Sequence, residues 1–361
     1  MKMNYRKHAR AFAVSVVLIG LALTGANYTV FAQENENGSR EAPGRDQKIG
    51  HGKVELLHVQ GNVYMIAGAG ANITVQVGPQ FVIVVDSGLP QMSDEVLAAI
   101  RGLTDKHILF VIDTSADADH TGGNANLSKA GWALPNSSLN PLDTGSKGGL
   151  TLPSGASIIG HINVLNRMSD SSGKGSPIPT DLWPSDTYET RYWRLYNGEG
   201  VFMYHPQNAH SDGDTYVLFR KSDVVSTGDI FTLATYPLIK ADQGGSITGV
   251  IDALNQIIEI LEPEDNEEGG TYVIPGHGRI CDRNDVVNYR DMATIVRGRI
   301  QALIKKGMTL EQVKAATPTL DYDGLYGTTK GPWTTDMFVE AVYKELSKGK
   351  TQQEQKVSGG R

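Results

Sequence analysis

The sequence predicts an α/β fold in which helices cover sheets. Strand-rich and helical stretches alternate twice along the chain, the order expected when helices pack on the outer faces of sheets. The 361 residues are 40% hydrophobic. A chain of this length and apolar content can bury a large core, which excludes a disulfide-stapled mini-protein, a collagen-like repeat and a long disordered polymer. No Pro- or Gly-rich linker separates independent cores, so we expect one large domain.

The first half of the chain begins with short apolar, β-branched runs separated by glycine-containing turns, which is typical of neighbouring strands. The apolar period then changes to that of a helix, and a buried strand follows. The predicted strands span residues 54–59, 63–67, 73–77, 81–85 and 108–112, and the predicted helix spans 91–103.

Residues 131–184 are rich in Gly, Ser and Pro, and long irregular segments of this kind are often functional. One predicted strand and one predicted helix lie within this segment, and further strands and then helices follow it. The predicted strands span 157–160, 200–204, 215–219, 224–226 and 271–274, and the helices 163–168, 246–261, 285–305, 309–316 and 335–346. Residues 348–361 form a polar tail that we expect to be mobile.

The N-terminal segment has the pattern of a secretory signal peptide. Basic residues end at Arg10, residues 11–26 are apolar and uncharged, and small residues lead to Ala32. We expect cleavage after Ala32, a flexible leader over residues 33–50, and a periplasmic or secreted protein free of the membrane. An uncleaved membrane anchor is the alternative.

The charge of the chain argues against a nucleic-acid partner. The formal net charge is -7, and without residues 1–32 it is -11, with 29 basic against 40 acidic residues. Phosphate backbones require clustered Lys and Arg. We therefore expect a small-molecule substrate, and the oligomeric state is open. Cys281 is interpreted as a packed structural residue rather than a nucleophile.

Four polar clusters follow the ends of predicted strands. They lie at residues 113–124, 208–214, 227–229 and 275–278. Strand ends converge in layered α/β folds and can assemble a site from distant parts of the sequence. Imidazoles and carboxylates flanked by glycines are suited to binding a metal ion. We therefore expect a metal centre at this edge.

The runs DHTGGN at 119–124, AHSDGD at 209–214, TGD at 227–229 and PGHG at 275–278 resemble the metallo-β-lactamase superfamily. The resemblance covers residues 54–280. It implies a four-layer αββα sandwich over residues 51–282 with a helical C-terminal extension over 283–347. It also implies one or two divalent ions, with zinc favoured over manganese or iron. The matching ligand positions are Asp119, His120, His210, Asp229 and His277.

Two positions depart from the family pattern. Ser115 and Asp117 stand where the family has the first two histidines of its His-x-His-x-Asp-His motif. The second metal site is then complete, whereas the first retains His210, with Asp117 as a substitute oxygen ligand. The loop that begins at Asp86 resembles one that borders the family's site, and Asp214 is a candidate brace for His210.

The resemblance implies an exported metal-dependent hydrolase that acts on a small ester, lactone, thioester or amide. Asp119 would be both a ligand and the general base for water. The alternative is a non-catalytic or weakly active binding protein with an eroded first metal site. A redox or phosphodiester-cleaving member of the fold is a third possibility.

Overall fold

The computed structural model describes residues 54–132, 155–170, 178–263, 266 and 269–358. The predicted signal peptide and the predicted leader lie outside this range. Across these residues no helix combines the length and apolarity needed to span a bilayer.

A mixed sheet forms the first half of the fold. Within the described residues it has seven strands in sequential order, antiparallel from β1 to β4 and parallel from β4 to β7. The strands are β1 (Glu55–Gln60), β2 (Val63–Ala67), β3 (Ile73–Val77), β4 (Val82–Val85), β5 (Ile108–Ile112), β6 (Ser157–His161) and β7 (Asp186–Tyr188).

A second sheet follows, in the spatial order β12-β11-β10-β9-β8 in the described part of the chain. Its neighbours are antiparallel except β11 and β12, which are parallel. The strands are β8 (Arg191–Tyr196), β9 (Glu199–Tyr204), β10 (Tyr216–Phe219), β11 (Val224–Ser226) and β12 (Tyr272–Ile274).

Helices cover the outer face of each sheet. Those that pack on the first sheet or join its strands are α1 (Ser93–Leu103), α2 (Ala118–Thr121), α3 (Asn124–Ala130) and α4 (Ile162–Ser169). Those of the second half are α5 (Ile247–Ile260), α6 (Arg283–Lys305), α7 (Leu310–Ala315), α8 (Asp323–Tyr326) and α9 (Thr335–Ser358).

Three apolar cores separate these layers and confirm the predicted αββα sandwich. One lies between the two sheets and includes Ile83 and Val217. A second joins the first sheet to α1 and α3. The third joins the second sheet to α5 and to the C-terminal helices α6 to α9. The predicted helical extension is therefore present, packed on the second sheet.

The structure contains elements that were not predicted, namely the short helices α2, α3 and α8 and the strands β7 and β8, and its last helix is longer than predicted. Strands β7 and β8 carry no clear sequence pattern, because β7 has three residues and β8 is an edge strand whose side chains are mostly exposed. Helix α9 runs to Ser358, well into the segment predicted as a tail. The described side chains of α9, such as Phe338 and Val342, pack on the C-terminal core, and the helix contacts α6.

Candidate metal centre

All six predicted ligands meet at one edge of the sandwich. Asp119 and His120 lie in α2, which follows β5, and Asp229 lies in a short 3₁₀ helix after β11. His277 follows β12, and His210 lies in the loop that enters β10. Two groups of candidate ligands result, one of Asp119, His120 and His277 and one of Asp117, His210 and Asp229.

The first group has the spacing of ligands around one ion. His277 Nε2 lies 3.4 Å from both Asp119 Oδ2 and Asp229 Oδ1. His120 Nε2 lies 3.4 Å from Asp229 Oδ2. Neighbouring ligands of a tetrahedral ion with bonds of about 2.1 Å stand roughly 3.4 Å apart. Asp229 therefore completes a four-residue set with the first group.

Buried polar atoms without a hydrogen-bond partner at the centre are also consistent with a bound cation. Among the described residues, His120 Nε2, His210 Nε2 and Asp229 Oδ1 are buried and have no hydrogen-bond partner. Each such atom costs about 1–3 kcal/mol when it stays unsatisfied. A divalent ion held by the first group together with Asp229 would satisfy His120 Nε2 and Asp229 Oδ1, whereas His210 Nε2 belongs to the second group. The residues of the first group therefore fit a metal ion.

A buried carboxylate fixes the orientation of His120. The His120 Nδ1–H donates to Asp86 Oδ2 over 2.8 Å, which leaves Nε2 directed at the centre. Asp86 also accepts hydrogen bonds from the Thr114 N–H (2.9 Å) and hydroxyl (2.8 Å). Asp86 has φ of 64°, a left-handed conformation that Asp tolerates better than most residues. This support locks the imidazole's tautomer and direction.

His210 has an equivalent brace. Its Nδ1–H donates to Asp214 Oδ1 over 3.1 Å, and Asp214 also accepts from the Ser211 N–H over 2.8 Å. Asp214 is buried, so it is not a solvated turn residue. The structure places Asp214 in the bracing position proposed from the sequence.

The loop that carries His277 is held from the first sheet. The Asn72 side chain donates to the carbonyl oxygens of Pro275 and Gly278, both over 2.9 Å. A Cβ on Gly276 would stand 2.3 Å from Asp229 Oδ1, so only glycine leaves room for this carboxylate. Asn72 was not among the predicted site residues, because a lone Asn between two strands matches no motif.

A lysine side chain pairs with the second group. Asp117 Oδ2 lies 3.3 Å from His210 Nε2, and His210 Nε2 lies 4.0 Å from Asp229 Oδ2. Lys240 Nζ forms an ion pair with the other oxygen of Asp117. Ser115 is not a member of the group; its hydroxyl accepts the Asp117 N–H over 3.2 Å and closes the turn.

Comparison with known proteins decides the family. The family model described as the metallo-β-lactamase superfamily matches residues 60–277, more than half of the chain. The chain belongs to the metallo-β-lactamase superfamily. Its members share a hydrolase fold that typically binds divalent metals. No curated protein sequence matches the chain.

Solved structures of the same fold resemble the chain at low identity. The inverting sec-alkylsulfatase Pisa1 from Pseudomonas sp. is 14% identical with a TM-score of 0.55, and the match covers 81% of this chain and 50% of that protein. The chain thus spans about half the length of that relative. Two metallo-β-lactamases also match: DIM-1, with 16% identity and a TM-score of 0.47, and one from Pontibacter korlensis, with 13% identity and a TM-score of 0.48. Each match covers 67% of this chain and 98% or 99% of the other protein.

Electrostatics at this superfamily site keep the carboxylates ionised. Burial opposes the charge on Asp229, but His120 and His277 lower its pKa far below the ordinary value. Burial likewise opposes ionisation of Asp119, and the contact with His277 lowers its pKa. The centre therefore presents charged oxygens at neutral pH.

The same carboxylates favour protonated imidazoles. Burial disfavours the charge, yet the pKa of His120 is raised by Asp86, that of His210 by Asp214 and that of His277 by Asp229. A metal ion must therefore displace protons from these rings.

The open side of the site is at Asp119 and His277. Their side chains are 31% and 28% exposed, whereas His120 and His210 are almost fully buried. Solvent therefore reaches the centre most readily over Asp119 and His277.

Two other residues have structural roles. His161 caps α4 by accepting the Asn163 N–H over 3.2 Å. Cys281 is buried, which raises the pKa of its thiol and argues against a reactive thiolate.

Proposed function

We propose that the protein is an exported metal-dependent hydrolase that acts on a small ester, lactone, thioester or amide. The observation that carries the proposal is the set of buried, unpartnered imidazole and carboxylate atoms at the centre of the site. Asp119, His120, Asp229 and His277 would hold the ion, for which zinc is the first candidate and manganese or iron the alternatives. The predicted signal peptide supports export.

A divalent ion bound there would lower the pKa of a water molecule toward about 7 and would polarise the scissile group. The chain's own residues supply the rest. Asp119 is ionised, partly exposed and in contact with His277, so its carboxylate can orient a water molecule and accept its proton. Asp86 and Asp214 keep the two buried imidazoles fixed during this transfer.

The substrate panel should be broad, because this fold hosts many chemistries. Carboxylic esters, lactones, thioesters and amides represent the proposed classes. A secondary alkyl sulfate belongs in the panel because a structural neighbour is a sec-alkylsulfatase. Oligonucleotides serve as the negative class, since the acidic chain disfavours them.

The test is turnover of this panel by protein purified without chelator, before and after metal removal. We expect hydrolysis that is abolished by chelation and restored by zinc or manganese. The Asp119→Ala substitution should lower the hydrolysis rate at least about 100-fold. Asp105→Ala is the matched control, because Asp105 is exposed and distant in the fold. Hydrolysis that survives chelation, or that Asp119→Ala leaves unchanged, would refute the proposal.

A second candidate is a binding protein without catalysis. The observation that favours it is the ion pair of Lys240 with Asp117 in the weakened ligand group. This candidate predicts a protein that retains a metal ion and binds a small molecule but shows no metal-dependent turnover across the panel. Any turnover lost on chelation and restored by zinc would rule it out.

A further inference from the structure

Lys240 is built into the centre by its backbone as well as its side chain. Its N–H donates to the His210 carbonyl over 2.9 Å, and the Gly245 N–H donates to the Lys240 carbonyl over 2.9 Å. A Cβ on Gly245 would stand 2.1 Å from the His210 carbonyl oxygen, so this segment lies directly against the loop that carries His210. The ammonium group is therefore delivered to Asp117 by a fixed segment.

The ion pair with Lys240 occupies one carboxylate oxygen of Asp117, a member of the second group. One Asp117 oxygen contacts Lys240 Nζ and the other faces His210 Nε2 at 3.3 Å. Ser115 is committed to the Asp117 N–H and contributes no ligand. Among the described residues, this group thus consists of Asp117, His210 and the shared Asp229, with a lysine charge already present.

The Lys240 ammonium separates the two ligand groups. Among the described residues, Asp117, Asp119 and Asp229 are the carboxylates of these groups, and Asp117 is already paired with the ammonium. An ammonium group has no lone pair with which to coordinate an ion, and it repels one nearby.

We propose that the Lys240 ammonium takes the place of a metal ion in the second group, which corresponds to the family's first metal site. The chain then holds one divalent ion, at Asp119, His120, Asp229 and His277. The inference rests on the metal centre of the proposed function and adds its stoichiometry. Asp117, which stands where the family has a histidine, and Lys240 then act together, with a fixed organic cation in place of a bound metal ion.

The test counts metal ions and needs no substrate. Metal-free protein is loaded with excess zinc, passed through a desalting column and analysed for zinc per chain. We expect about one zinc in the wild-type chain and about two in Lys240→Ala and in Lys240→Met, which keeps most of the apolar stem. Lys129→Ala, an exposed lysine on α3, is the matched control and should hold one.

Cobalt(II) loading gives an independent readout. The wild-type absorption should saturate at one equivalent, and the Lys240 variants should continue to change up to two. Two ions in the wild-type chain, none in it, or one in folded Lys240→Ala and Lys240→Met would each overturn the inference. Circular dichroism establishes that the variants are folded. One zinc without any hydrolysis would leave this inference standing and would refute the proposed hydrolase.

Discussion

Replacement of Asp86 tests whether the support behind His120 sets metal affinity. Asp86→Asn is nearly isosteric, and Asn accepts the left-handed φ of 64° that this position requires. The change removes the charge next to the imidazole and leaves one carbonyl oxygen. Supporting residues of this kind contribute 10–100-fold to metal affinity, which corresponds to about 1.4–2.7 kcal/mol.

The hydrogen-bond geometry gives the expected cost to stability. Asp86 accepts from His120 Nδ1, the Thr114 N–H and the Thr114 hydroxyl. The Asn oxygen can serve His120, but its NH₂ group then faces the Thr114 N–H, and one buried donor loses its acceptor. We expect a loss of about 1–3 kcal/mol in unfolding free energy of the metal-free protein. Asp86→Ala should lose more, because Ala also pays about 1–2 kcal/mol for left-handed backbone.

The assay is competition for zinc with a chromophoric chelator, together with urea unfolding of the metal-free protein. Asp105→Asn, an exposed carboxylate outside the site, should match wild type in both. Unchanged zinc affinity in folded Asp86→Asn would refute the idea that this carboxylate orients His120 for binding.

Three further changes probe the same centre. Asp119→Asn should lower kcat at least about 100-fold with a smaller change in KM, measured on whichever panel substrate turns over, because the amide cannot accept the proton. Gly276→Ala should weaken zinc binding at least tenfold by displacing Asp229, whereas Gly102→Ala, in open space on α1, should match wild type or gain up to about 1 kcal/mol of stability. The increase in Tm on zinc addition should grow between pH 6 and pH 8.5. The site histidines have pKa values raised above the ordinary 6.5, so their protonation stabilises the metal-free fold fully below pH 6.5, and that contribution is lost as pH rises through the raised values. A zinc-induced Tm increase that is constant or falls with pH would contradict this sign.

Local patterns explain how far the sequence analysis reached. The strands around the site are short apolar runs with turn residues at each end, so their bounds could be predicted to within a few residues. The ligand clusters follow those strands directly and carry distinctive residue types, so their convergence followed from layered α/β topology. Helix α5, with one apolar face and Ser246 as its cap, was predicted almost to the residue.

Contacts between distant segments explain what was missed. Lys240 pairs with Asp117 across 123 positions, and a lysine in a glycine-containing loop has no periodicity or motif of its own. Asn72 reaches Pro275 across 203 positions. Asp86 was predicted only as the start of a loop that borders the site, because its contact with His120, 34 positions away, depends on how the segments pack. Sequence patterns report local geometry, whereas these roles depend on which segments the fold brings together.

The site also depends on how the two sheets are aligned. Asp119 and His120 follow a strand of the first sheet, and Asp229 and His277 follow strands of the second. A slip of about 1 Å between the sheets would spoil ligand distances near 3.4 Å. Apolar contacts alone tolerate small slips, but the Thr74 hydroxyl donates to Ser226 Oγ over 3.0 Å inside this interface, and such a buried pair is satisfied in one alignment only. Polar contacts between the sheets therefore set the geometry of the metal centre before any ion binds.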